Sequence, residues 1–194
     1  MAMKRHARPA PASTSPITAK PADAPFELRR AHAFLAAQNA FTSFLDIPCS
    51  LVTRTGSWIV VYNSGAPSVV EAHNSLGHRE ARGKYNDQHV GRVLSTQVML
   101  ETELHGFSDL WVPIVSGGRC DNLLVSGPFL RRPWSAEDIR KNWQALTGKK
   151  PSASDVRFLD YARTVLRTQV LNAADIRKFQ DFLRVFAELL AGRG

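Results

Sequence analysis

Short β-rich runs and longer amphipathic stretches alternate along this chain, and their order is the first guide to its architecture. Phe34, Leu35, Gln38, Phe41, Thr42 and Leu45 recur at three- and four-residue spacing, which predicts an amphipathic helix over about residues 27–45. Pro48 ends that helix and starts an extended segment. Cys49–Arg54 and Trp58–Tyr62 are β-rich runs around Thr55-Gly56-Ser57, the pattern of a hairpin, and Ser64-Gly65-Ala66-Pro67 closes the second. Val98–Leu104 alternates loosely and reads as a strand. Leu110–Val115 and Leu123–Val125 flank Ser116-Gly117-Gly118-Arg119, where glycine supplies the positive φ of a tight hairpin. Gly127-Pro128 breaks the return strand.

Helical signals fill the rest. Ser135, with Asp138 at the third position, caps a helix through Leu146 that Gly148 ends. Phe158, Leu159, Ala162, Leu166 and Val170 mark another, from about Ser154 to Leu171. Asn172 caps the last, whose stripe of Ile176, Phe179, Phe182, Leu183, Phe186, Leu189 and Leu190 is the strongest periodic signal in the chain. Residues 71–92 differ: they are polar, carry His73, His78 and His89, and keep no apolar period. They predict a long loop with one helical turn, with a short helix beginning at Val90–Leu94. Long loops in compact domains usually carry function, so specificity is expected here. Hairpin-joined strands between terminal helices imply α+β: an antiparallel sheet of about five strands, flanked by N- and C-terminal helices.

The chain of 194 residues is long enough for one domain with a sizeable core. Residues 1–25 hold Ala, Pro, Ser, Thr and basic residues with almost no large apolar group, so a disordered basic tail is expected before a folded domain over 26–194. No apolar run approaches the ~20 residues of a membrane helix, and no apolar segment follows the basic N-terminus as in a secretory signal. Pro9, Pro11, Pro16, Pro21 and Pro25 prevent an amphipathic targeting helix. Cys49 and Cys120 lack metal or redox spacing and read as small buried hydrophobes of a reducing, cytoplasmic protein. Part of the net charge of +8 sits in the tail, at Lys4, Arg5, Arg8 and Lys20, and the rest is scattered, with pairs such as Arg29-Arg30, Arg131-Arg132 and Lys149-Lys150. That is the pattern of a solvated surface, and nucleic acid is not expected as a partner.

No motif of enzyme chemistry is present, and no cofactor is indicated. His73, His78, His89 and His105, with Glu101, Glu103 and Cys120, fit no metal-ligand spacing. Ser116-Gly117-Gly118 lacks the context of a nucleophile elbow, and no phosphate loop exists. The better candidates are binding residues. Trp58, Tyr62, Tyr85 and Trp111 could line a pocket closed by residues 71–92, with His73, His105 and Arg119 orienting a ligand. Against this stands the plain alternative that Trp58 and Trp111 are ordinary core. Trp134 and Trp143 are expected to anchor the helix after the hairpin to the sheet. Arg119, Arg131 and Arg132 hint at an anionic ligand.

Gly106, Phe107, Asp109, then Val112-Pro113-Ile114, with Gly118 at the turn and Gly127 ending the return strand, form one pattern. This stretch resembles the central hairpin of PocR-type ligand-binding domains, relatives of the PAS and GAF sensors. The layout is similar from Phe26 to Gly192. Members of that family often place Cys-His before the glycine. Here Glu103-Leu104-His105 stands instead, so no thiolate site is implied. The resemblance implies a PAS/GAF-like fold that binds a small molecule between its curved sheet and the covering helices or loops. Binding would shift the covering segment and regulate a signalling or transcriptional output, supplied by an output domain or partner protein. It further implies a homodimer through the terminal helices, while the lack of a long apolar run argues against a membrane partner. Two rival readings stay open: a pocketless interaction or dimerisation module, and a nucleic-acid-associated regulator using its basic tail.

Overall fold

In a computed structural model of the chain, the described residues are 39–40, 45–63 and 68–192. The expected basic tail and most of the expected first helix lie outside them; Asn39 and Ala40 are helical. The strands are β1 (Cys49–Thr53), β2 (Trp58–Tyr62), β3 (Leu100–Leu104), β4 (Phe107–Ser116) and β5 (Arg119–Phe129). The helices are α1 (Val69–Ser75), α2 (Arg79–Thr96), α3 (Ala136–Thr147), α4 (Val156–Arg167) and α5 (Ala173–Leu190). All strand pairs are antiparallel, in the order β2-β1-β5-β4-β3. The fold is α+β, consistent with a PAS/GAF-like arrangement.

Alternation along β4 and β5 divides the core into two faces. Leu110, Val112, Ile114 and Leu124 point to one side, where Ile176, Phe179, Leu183, Phe186 and Leu190 of α5 cover them. Trp111, Leu123 and Val125 point to the other, where Tyr85 and Val93 of α2 meet them. The pairing register shifts between Ser108 and Leu110, and Phe129, although odd-numbered like Leu123 and Val125, packs with the α5 side. A bulge of this kind moves a side chain to the other face. Gly127 sits in this irregular stretch at φ 145°, where a Cβ would lie 2.5 Å from an Asp109 carboxylate oxygen. A third cluster joins α1, α3 and α4 to Phe107 and Leu130. Trp134 meets Phe107 of β4, as expected of an anchor, whereas Trp143 meets Phe158 and Tyr161 and so ties α3 to α4.

Residues 71–92 are not a loop. Val69–Ser75 and Arg79–Thr96 are both helical. Ser68 caps α1 through Val70, and Glu71 returns a bond to the Ser68 amide, a reciprocal pair that closes the first turn. The inward positions of α2 run His78, Arg82, Tyr85, His89 and Val93, at spacings of four, three, four and four. The helical period is present, but polar side chains carry most of it.

Candidate functional site

The polar inward face of α2 lies over the start of β4. Asp109 is fully buried. Its carboxylate accepts two hydrogen bonds from the Arg82 guanidinium, at 2.9 and 3.2 Å, and one from the Tyr85 hydroxyl at 3.0 Å. Such a planar, paired contact compensates the charge that burial would otherwise penalise. Because the Tyr85 proton points to Asp109, Thr102 donates to the Tyr85 oxygen and itself accepts from Trp111 Nε1 at 2.7 Å. A directed chain thus runs from Trp111 through Thr102 and Tyr85 to Asp109. Burial, reinforced by the Asp109 charge, pushes the Tyr85 phenol above its ordinary range. His89 donates through Nδ1 to the Tyr85 carbonyl at 2.7 Å and stacks on Trp111 with ring centroids 5.5 Å apart.

A second polar group adjoins this one where α1, α2 and the β3–β4 turn meet. The His73 and His105 rings lie 5.2 Å apart, and His78 and His105 5.0 Å apart. His73 is also flanked by Phe107 and Tyr161. His78 donates from Nε2 to the Leu146 carbonyl at 2.8 Å, joining the start of α2 to α3. His105 adopts φ 54° in the turn, and its carbonyl accepts from Asn142, which in turn accepts from Tyr161. Burial is the main force on His73, and the neighbouring His105, His78 and Arg82 add to it, pushing its pKa down to about 3. His105 is lowered for the same reasons, burial first. The Nε2 atoms of His73 and His105 and the Nε of Arg82 are buried without a hydrogen-bond partner among the described residues.

Clefts open on two sides of this group. One of about 440 Å³ is lined by Gly106, Trp134, Asn142, Arg131 and Arg132. The other, of about 280 Å³, runs between α1 and α4 and is lined by Ala72, Leu76 and Tyr161. Asn142 lines the first and Tyr161 the second, and the Tyr161–Asn142 hydrogen bond joins them.

Of the residues singled out from sequence, His73, Tyr85, His105 and Trp111 come together here. Trp58, Tyr62 and Arg119 do not. Trp58 is 45% exposed on β2, beyond the reach of α2. Tyr62 donates to Asp46 and packs on the α5 side. Arg119 lies in the β4–β5 hairpin beside Asp121 and lines a separate cleft of about 530 Å³ with Leu94, Ser95 and Gln97 at the C-terminal end of α2. The basic pair Arg131-Arg132 is already engaged: Arg131 lies 3.4 Å from Glu101, and Arg132 makes two bonds to Asp138. Arg82 and Thr102 were missed by sequence reasoning.

No family model, curated protein or solved structure matches the chain. The site therefore rests on its own geometry. Among the described residues no group of His, Cys, Asp and Glu could hold a metal ion. Cys49 and Cys120 are buried and unpaired, and burial pushes the Cys49 thiol up to about 12, so neither offers a ready thiolate. No helix among the described residues is long and apolar enough to cross a membrane.

Proposed function

We propose that this chain is a cytoplasmic sensory domain that binds a small polar ligand and regulates a signalling or transcriptional output through a partner. One observation carries the reading. On the side of the sheet covered by α1 and α2, between sheet and helices as the PocR-like resemblance implies for a ligand, buried nitrogens of His73, His105 and Arg82 have no hydrogen-bond partner among the described residues. Buried polar groups are ordinarily satisfied; Asn74, Asn86, Glu101 and Trp143 also carry an unpartnered atom, but the three nitrogens gathered at one corner are the group that points to an external partner. The ligand would bridge α1, α2 and the β3–β4 turn, and so favour one placement of the α1–α2 pair over another. Native mass spectrometry of the purified chain tests this. Retention of a small molecule by the wild type, and its loss in His105→Asn, supports the reading. A ligand retained equally by both proteins refutes the site.

A second reading has its own observation. The sheet face under α2 is filled by Trp111, Leu123, Val125 and Val93, and α5 carries Val185 and Leu189 exposed at 57% and 42% beside half-buried Phe182. A filled face with an apolar stripe on the last helix suits a dimerisation or docking module. Light scattering on the wild type and on Val185→Glu/Leu189→Glu decides it. A dimer that becomes a folded monomer in the double variant supports the module, and a wild-type monomer removes it.

A further inference from the structure

The unpartnered nitrogens also restrict what the ligand can be, given that the sensor reading holds. We infer that the corner between α1, α2 and the β3–β4 turn is a site for a small oxyanion, a carboxylate or phosphate group, taken up together with a proton.

The argument is one of charge and donors. The groups facing the corner are His73 from α1, His78 and Arg82 from the start of α2, His105 from the turn, Asp109 from β4 and Tyr161 from α4. The one carboxylate among them is already bound by Arg82 and Tyr85. A cation would therefore meet Arg82 with no free acid to offset it. The Arg82 Nε–H can only donate, a neutral imidazole donates from Nε2 in one of its tautomers, and an imidazolium donates from both nitrogens, so one added proton leaves both rings able to donate into the corner. Three donors, with the Arg82 charge already balanced by Asp109, hold an oxyanion once one added proton supplies the positive charge. Neutral His73 and His105 give it no net charge to bind. Binding draws one proton from solvent onto an imidazole, and the imidazolium and anion neutralise each other. Tyr161, which lines the cleft between α1 and α4 and lies against His73, marks the route from solvent.

Calorimetric titration of the full chain with inorganic phosphate and with acetate tests this, at pH 6 and pH 8 and in buffers of differing ionisation enthalpy. The expected result is uptake of about one proton and affinity that weakens by about tenfold per pH unit across the range from pH 6 to pH 8, because both imidazoles are lowered in the free fold. Two variants should abolish binding without lowering the melting temperature. His105→Asn keeps a residue type that tolerates φ 54°, and His73→Phe keeps an aromatic ring between Phe107 and Tyr161. Binding without proton uptake, or binding unaffected by both variants, overturns the inference. If neutral polyols or amides raise the wild-type melting temperature where the anions do not, the oxyanion class falls and the sensor reading stands. If neither class of probe binds, both fall.

Discussion

Asp109 is the residue on which the α2 face depends, because one buried carboxylate neutralises Arg82 and fixes the Tyr85 hydroxyl. Asp109→Asn leaves the guanidinium, whose side chain is 14% exposed, without a counter-charge. A loss of roughly 3 kcal/mol is expected in chemical denaturation, as for other buried pairs broken on one side. Adding Arg82→Met should recover much of that loss; a double variant as weak as the single would refute the pairing argument. The histidines make a separate prediction. In the unfolded chain His73 accepts a proton near pH 6.5, but in the fold only near 3. The unfolded state therefore binds more protons between those values, and stability must fall as pH drops through that window. The expected slope is about 1.4 kcal/mol per pH unit from this group. His73→Phe should flatten the stability profile between pH 6.5 and 4, and phosphate should restore part of the loss in the wild type.

Helix ends and turns set the geometry at the scale of elements, and here the sequence was unevenly legible. The five strands, the Gly117-Gly118 turn, the Ser135 cap with Asp138 and the Asn172 cap all agree with the structure. Each rests on a local pattern whose apolar members are apolar side chains. The α1–α2 segment failed that test because its inward stripe is His78, Arg82, Tyr85 and His89, which no hydrophobic period reveals. The Ser68–Glu71 capping pair was the available signal for a helix start. Half of the candidate site was thereby hidden. His73 and Tyr85 were picked as polar and aromatic groups, whereas Arg82 becomes visible only once a helix places it one turn from Tyr85. Trp58 was misplaced because an aromatic residue in a strand does not reveal whether that strand is central or at the edge. Two substitutions probe these elements. Ser68→Ala should cost about 1 kcal/mol by removing a cap. Gly127→Ala should cost more, on the order of 2 kcal/mol or above, because its Cβ would press on Asp109 at a positive φ. Denaturant midpoints at constant slope would measure both, and a Gly127→Ala as stable as the wild type would remove the close-approach argument.

The described residues form a sheet with two unlike coverings. On one side α5 lays an apolar stripe over β4 and β5, and a pair of backbone bonds between Leu130 and residues 169 and 171 leads the chain into it. On the other, α2 is held partly by Tyr85 and Val93 and partly by charges and hydrogen bonds that pH or a ligand can alter. The short edge strands β2 and β3, of five residues each, leave β1, β5 and β4 as the interior of the sheet.

That asymmetry makes the two coverings separable cooperative units. The amides of α1 and α2 should exchange with deuterium by sub-global opening, at a free energy below that of complete unfolding. Those of β4, β5 and α5 should exchange only when the whole chain opens. An excursion in which α1 and α2 lift while the sheet keeps its α5 cover is thus the lowest rung of the native ladder. Acid should make that excursion more frequent, and any molecule that ties His73 to His105 should make it rarer, leaving the upper rungs untouched.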